Sequence, residues 1–295
     1  MNTNSPEDPA GNVSGSTWFV TGASSGIGRA VTEQLLDRGA RVAAVARRVE
    51  LLDDLAGTHG DRLWTAQLDV TDTEALRSVV ARAFSALGRI DVVFSNAGSG
   101  AFGAAEELSD QAITQQIALN LVAPIQLLRA VLPHLRAQGG GRFIQTSTVG
   151  GQITTPGGSM YHASKWGVEG FLESVMPEVA PFGVGITLIE PGNIRTDFGA
   201  ALSIASAIDA YADTPVGQVR QYIDASGGNL TGNAQGDPAK VAAAVIASAA
   251  TTPAPARLAL GSDAYAGIHS ALTRRLDQLE STKDIAFSTD YDQKG

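Results

Sequence analysis

Trp18-Phe19-Val20-Thr21-Gly22-Ala23-Ser24-Ser25-Gly26-Ile27-Gly28 runs from an apolar, β-branched stretch through three glycines into a helical pattern. Each glycine has a use at such a junction. Gly22 permits a tight turn, Gly26 lets backbone approach a pyrophosphate, and Gly28 lets helix and strand pack closely. The helix that follows offers free N–H groups and the positive end of its dipole to an anion, with Ser24, Ser25 and Ile27 in the loop. Alone, the pattern also suits a plain strand–helix turn. Its place after the first strand of an alternating series favours a dinucleotide.

That series extends outward from the glycines. Strands are expected at Thr17–Thr21, Arg41–Ala46, Arg62–Gln67, Asp91–Ser95, Gly141–Thr146, Gly185–Glu190 and Arg257–Gly261. Several are continuous apolar runs, as strands buried on both faces require. The helical stretches between them have readable ends. Gly39 suits a left-handed C-cap, Thr71-Asp72-Thr73-Glu74 a capping box, and Asp237-Pro238 an N-cap with proline at the first helical position. Strand–helix alternation implies an α/β fold, a Rossmann-type doubly wound parallel sheet of about seven strands with helices on both faces. Residues 17–280 form one domain between a tail at 1–16 and a polar tail at 281–295. Residues 197–236, rich in Ala, Ser and Gly, are an insertion long enough for a substrate lid or a surface loop.

Composition narrows the function. A net charge of −9 over 295 residues argues against nucleic acid and anionic membranes as partners. The chain has no Cys, and its four His are scattered without ligand spacing, so no metal site is expected. The first residues do not read as a signal peptide, and the longest membrane-like run, 241–250, is short for a span. A cytoplasmic location is the expectation.

After the second strand, Ala46-Arg47-Arg48 places two cations where NAD-specific sites carry an acid for the ribose 2′-hydroxyl. Arginine there accommodates a 2′-phosphate, so NADP(H) is preferred and NAD(H) is the second choice. The other reading is two solvated surface arginines. Tyr161 and Lys165 stand four apart on an expected helix and share a face. A nearby cation stabilises a phenolate, lowering a tyrosine that ordinarily ionises near ~10, and so equips it for acid/base work. A packing Tyr beside a solvated Lys is the bland alternative.

With these motifs on the page, the chain resembles the short-chain dehydrogenase/reductases over nearly all of residues 16–263. The resemblance rests on Thr21 to Gly28, Leu68-Asp69-Val70, Ser95-Asn96-Ala97-Gly98, Asn120, Gln145 to Gly151, Tyr161-His162-Ala163-Ser164-Lys165, and Pro191-Gly192 with Thr196. The stretch from Tyr161 to Phe171 is similar to the retinol- and steroid-dehydrogenase-like subgroup. The resemblance implies hydride exchange between nicotinamide and a carbonyl or alcohol. Tyr161 becomes the acid/base, Lys165 tunes it and holds the nicotinamide ribose, and Asn120 completes a proton relay. Asp69 and Val70 meet the adenine, and Asn96, Ala97 and Gly98 line the adenosine side. Pro191, Gly192, Ile194 and Thr196 close the nicotinamide end, with Thr196 on the carboxamide. It further implies a homodimer or homotetramer through the helices holding Asn120 and Tyr161.

Two departures matter. The family's substrate-orienting serine falls at Thr148, which offers the same hydroxyl, with Ser147 beside it as the alternative. Pro177 lies inside the Tyr161 helix and should kink or break it several turns downstream. The expected pocket walls, residues 99–103, 152–158 and 198–235, contain one basic residue, Arg220. This points to a small-molecule substrate, a neutral, fairly apolar ketone or secondary alcohol, over an acyl thioester. A silent NADP-binding regulator and a lyase or epimerase on the same fold are the competing functions.

Overall fold

The computed structural model describes residues 13–229, 231 and 234–291. Its elements are β1 (Thr17–Thr21), α1 (Gly26–Asp37), β2 (Arg41–Ala46), α2 (Asp53–His59), β3 (Leu63–Gln67), α3 (Thr73–Leu87), β4 (Val92–Ser95), β5 (Ala101–Phe102), α4 (Asp110–Ile117), α5 (Ala123–Ala137), β6 (Gly141–Thr146), α6 (Ser159–Val179), β7 (Val184–Pro191), β8 (Ser203–Ile204), α7 (Pro215–Ala225), α8 (Pro238–Ala250), β9 (Arg257–Leu260), α9 (Ser262–Ser281) and α10 (Lys283–Ser288). Seven strands form one parallel sheet in the order β3-β2-β1-β4-β6-β7-β9. The order reverses between β1 and β4, which opens a crevice beyond their carboxyl ends.

Each strand feeds two cores because successive side chains point to opposite faces. Phe19, Ala43 and Val45 join α3, α5 and α6 on one face, while Trp18, Val20, Val42 and Ala44 join α1 and α8 on the other. Fully burying a Phe or Val of this kind contributes roughly 1.5–3 kcal/mol. Helix ends follow their caps. Gly39 takes φ +84° just past α1, and Asp237 accepts from the amides of Ala239 and Lys240 at the start of α8.

Several expectations are corrected. The cap of α3 is Asp72 rather than Thr71; its carboxylate takes the Glu74 and Ala75 amides, while the Thr71 hydroxyl turns back to Asp69. Helix α6 runs unbroken through Pro177 and ends two residues later at Val179, so the expected break does not occur. Val13 is buried and Ser16 hydrogen-bonds its carbonyl, so the N-terminal tail is shorter than 1–16; residues 1–12 lie outside the described residues. The 281–295 tail contains α10, with Asp284 in its first turn; residues 292–295 lie outside the described residues. By length and composition alone, the 28-residue helical stretch Asp110–Ala137, not 241–250, is apolar enough to cross a membrane. It contains α4 and α5, which pack on α6 and on α3 and β6 respectively.

Within the insertion at 197–236, the described residues are folded and not a bare loop; residues 230, 232 and 233 lie outside them. Its β8 pairs in parallel with β5, and α7 follows in the chain. One acid fastens it to the body. Glu107, 1% exposed at its side chain, accepts from the Ala104 amide (2.7 Å), the Ile208 amide (2.8 Å) and Arg220 Nη2 (2.7 Å). The Ile208 amide foremost, then the Ala104 amide and Arg220, outweigh burial and hold its carboxyl below the usual range. Arg220→Met would leave this buried carboxylate with backbone donors alone. We expect a loss of roughly 1.5–3 kcal/mol, the range for one hydrogen bond to a charged group. Thermal denaturation and faster protease cleavage within 197–236 measure it; an unchanged melting temperature and cleavage rate would refute the latch.

Candidate active site

The site assembles where β1, β2, β3, β4, β6 and β7 end. At the first turn, Gly22 has φ +64°, and a Cβ there would sit 3.0 Å from the Ala97 Cα. A Cβ on Gly28 would lie 2.3 Å from the Gly22 carbonyl oxygen. Glycine is therefore needed at both positions. Gly26 differs: its φ is +55°, and a Cβ would meet nothing nearer than Thr196 Cγ2 at 3.6 Å. Its open face is a cradle between the glycine turn and the loop after β7. At the mouth of α1, Ser25 makes no side-chain cap and the first turn holds no acid. The amides around Ser24, Ser25, Gly26 and Ile27 are thus left for an outside anion, and the residues fit a dinucleotide pyrophosphate.

Arg47 and Arg48 follow β2, are exposed, and make no ion pair within 4 Å among the described residues. Asp69, after β3, binds the Thr71 amide (3.0 Å) and hydroxyl (2.7 Å). Burial pushes its carboxyl up, but the Thr71 bonds and the Arg47 charge outweigh this and hold it below the usual range. Val70 beside it is a buried core residue. Asn96 is engaged inside the protein. Its Nδ2 donates to the Thr21 carbonyl (3.2 Å), its Oδ1 accepts from the Thr146 hydroxyl (3.2 Å), and the Asn96 and Ala97 amides share the Thr21 hydroxyl. It clasps β1, β4 and β6 together. Gly98 lies beside Asn120 and Lys165. The Pro191 carbonyl accepts from Thr148 at 3.4 Å, and the Gly192 amide reaches the Leu260 carbonyl. Buried Ile194 bridges to Gly236, and Thr196 faces the glycine turn.

Four further residues meet at the centre. Tyr161 and Lys165 stand on one face of α6, with Nζ 5.8 Å from the Tyr161 ring centroid and 2.9 Å from the Thr146 carbonyl oxygen. The Thr148 hydroxyl lies beside the Tyr161 phenol and favours its ionised form. Asn120 sits in a π-helical turn, Ala118–Val122, between α4 and α5; its amide binds the Ser99 carbonyl (2.8 Å) and reaches Ser164 Oγ (3.4 Å). Such turns gather at functional sites, and no residue type in 118–122 announces one. The Ser147 hydroxyl is engaged by Glu169, whereas Thr148 lies beside the phenol.

The electrostatics reverse one expectation. The phenol is not lowered by its lysine. Burial pushes Tyr161 up to about 12 against the Thr148 hydroxyl, and burial takes Lys165 down to about 8 against the Glu169 charge. Desolvation disfavours both charged forms and is the largest cause in each.

Three features escaped the sequence reading. His162 accepts from the Thr155 amide at Nε2 (3.0 Å), so its Nδ1–H donates to the Gly150 carbonyl (2.8 Å), pinning the 152–158 wall to α6. The Phe198 ring lies 6.1 Å from the Tyr161 ring. Asp263, at the start of α9, accepts from the Asn193 amide at 2.8 Å and braces the turn after β7. His162 was visible beside Tyr161; the other two depend on tertiary placement.

Comparison with known proteins agrees with this fold. A family model described as short chain dehydrogenase matches residues 16–206. Oxidoreductase BOA17 of Botryotinia fuckeliana is 38% identical over 254 residues, 85% of this chain and 91% of that protein. The crystal structure of a short-chain dehydrogenase from Streptomyces avermitilis superposes with a TM-score of 0.85 at 38% identity, covering 93% of this chain and 100% of that one. An alcohol dehydrogenase from Thermococcus sibiricus, solved with 5-hydroxy-NADP, superposes with a TM-score of 0.68 at 25% identity, over 83% of this chain and 95% of that one. The matches in sequence and in the seven-stranded parallel sheet agree with one another, and the chain belongs to the short chain dehydrogenases, a family of NAD(P)-dependent oxidoreductases.

Proposed function

We propose that this enzyme is an NADP(H)-dependent reductase of neutral, fairly apolar ketones, running also toward the secondary alcohol, with Tyr161 as its general acid/base. The observation that carries the reading is the grouping of Tyr161 with Lys165 Nζ, 5.8 Å from its ring centroid on the same face of α6, and with Thr148 beside its phenol. The nicotinamide cofactor supplies or accepts the hydride when bound. The chain's own residues do the rest. Amides around Gly26 hold the pyrophosphate, Arg47 and Arg48 hold the 2′-phosphate, and Asp69 with Val70 borders the adenine. Asn96, Ala97 and Gly98 shape the adenosine side, Asn96 by clasping the strand ends. Pro191, Gly192, Ile194 and Thr196 close the nicotinamide end.

At neutral pH a phenol near 12 keeps its proton, so Tyr161 is poised to donate it to the carbonyl oxygen as charge develops. Thr148 orients that oxygen. Lys165, charged below about 8, stabilises the phenolate left behind. Asn120 holds the Ser99 end of the substrate wall and stands next to Lys165 for proton resupply. Thr148→Val, which keeps the shape and removes the hydroxyl, should lower turnover about a hundredfold or more. Ser147→Ala should cost clearly less, since the Ser147 hydroxyl is directed to Glu169 and reaches the chemistry only through it. Equal losses in the two would contradict the assignment.

The pocket walls support a neutral substrate. Phe198 and Leu202 crowd Gly100, Arg220 is taken by Glu107, and Arg195 donates to the Ala234 carbonyl. Clustered free cations for a phosphorylated or carrier-linked substrate are missing from these walls among the described residues. Half-exposed Val122 and Trp166, on the helical stretches that carry Asn120 and Tyr161, give those faces apolar surface for a homodimer or homotetramer. The test is a panel of ketones, alcohols and acyl thioesters with both cofactors, read by nicotinamide absorbance. Ring and aryl ketones with NADPH should lead. A reproducible preference for acyl thioesters would overturn the substrate class, and binding without turnover would favour the silent regulator.

A further inference from the structure

Tyr161, Lys165 and Glu169 are four residues apart in turn, so they form one row along α6. The third member is a buried acid. Glu169, 3% exposed at its side chain, accepts from the Ser147 hydroxyl, Gln152 Nε2 at 2.7 Å and Arg257 Nη2 at 2.9 Å. Glu190 on β7, also 3% exposed, takes the same two donors, Gln152 at 3.2 Å and Arg257 Nε at 3.0 Å. The exposed Glu173 binds the remaining arm of Arg257, and Arg275 from α9 holds the Gln152 carbonyl. The groups around Glu169 are thus Ser147, Gln152, Lys165, Glu173, Glu190 and Arg257.

The charges do not balance within the cluster. Three carboxylates share one guanidinium. Burial and then the Glu169 charge push Glu190 up to about 7, so it is largely protonated below neutral pH. Two acids buried side by side are a costly way to fill space, because apolar residues of similar volume pack there at lower cost. The other cation within the row is the Lys165 ammonium, which burial disfavours.

We propose that Glu169 is a positioning residue for the reaction: its buried carboxylate, clamped by Ser147, Gln152 and Arg257, is the counter-charge that keeps Lys165 protonated beneath Tyr161. Through Ser147 it also ties the turn bearing Thr148 to the same helix. The inference rests on the reading of Tyr161 as acid/base.

Glu169→Gln tests it. The amide fits the same bonds, with its oxygen toward Gln152 and Arg257 and its nitrogen toward a Ser147 hydroxyl that then accepts. Loss of the charge should move the Lys165 titration down by about one pH unit. Two readouts follow it. One is the ¹³Cε resonance of Lys165 in cofactor-free protein, assigned among the four lysines (Lys165, Lys240, Lys283, Lys294) with Lys165→Arg. The other is the alkaline limb of kcat/KM for ketone reduction, which should move down with it. A purely structural role alters the amount of folded enzyme and leaves both midpoints in place. Should Glu169→Gln not fold, Glu169→Asp draws the charge back by one methylene and should move both midpoints down by about half a unit. Unmoved midpoints in whichever variant folds overturn the proposal. Near-normal activity in Tyr161→Phe overturns the underlying reading instead, so the two failures are distinguishable.

Discussion

Tyr161→Phe should lose at least ~10²–10⁴-fold in turnover, the contribution typical of a positioned acid/base. The ring stays, and with it the contacts to Phe198 and His162. The deleted oxygen is the atom that meets Thr148. Cofactor affinity should change little, because the glycine cradle and the two arginines lie at other strand ends. The expected signature is therefore a collapsed kcat with NADPH binding retained, measured by quenching of tryptophan fluorescence. Turnover within tenfold of the parent enzyme would remove Tyr161 from the chemistry.

Arg47→Ala should weaken NADPH binding about ten- to a hundredfold and leave NADH nearly unchanged. A charge-assisted bond to phosphate contributes roughly 1.5–3 kcal/mol, which converts to that range. Arg47 is free to make it, being exposed and without an ion pair within 4 Å among the described residues. Its electrostatic partner Asp69 sits at the next strand end and bears on the same region. Arg48 should share the effect, so the double variant should lose more than either alone. Equal affinity for the two cofactors in the unmodified enzyme would refute the preference.

How much of this the sequence carried depends on the range of the interaction. The seven strands were legible to within one or two residues, because runs such as Val42 to Ala46 are apolar throughout and only a strand buried on both faces needs that. The glycine turn was legible because Gly22 and Gly28 answer local steric demands. Short-range competition was harder: Thr71 and Asp72 both suit a helix cap, and the structure uses Asp72. The π turn at Asn120 leaves no mark in residue type. The choice of Thr148 over Ser147 turned on Glu169, 22 positions along the chain from Ser147. The phenol's direction was misread for a related reason. Spacing reveals a neighbouring cation but not how far both groups are removed from water. The insertion looked like a loop because small residues dominate it; Glu107 and Arg220, 113 positions apart, give it a fixed place.

The most direct measurement uses NADPH carrying deuterium at the transferable C4 position, incubated with the best ketone from the panel. The account predicts one deuterium on the new carbinol carbon for each NADPH oxidised, with the label retained in Thr148→Val at a lower rate. Product formed without label, or cofactor bound and never oxidised in the presence of any carbonyl, would contradict it.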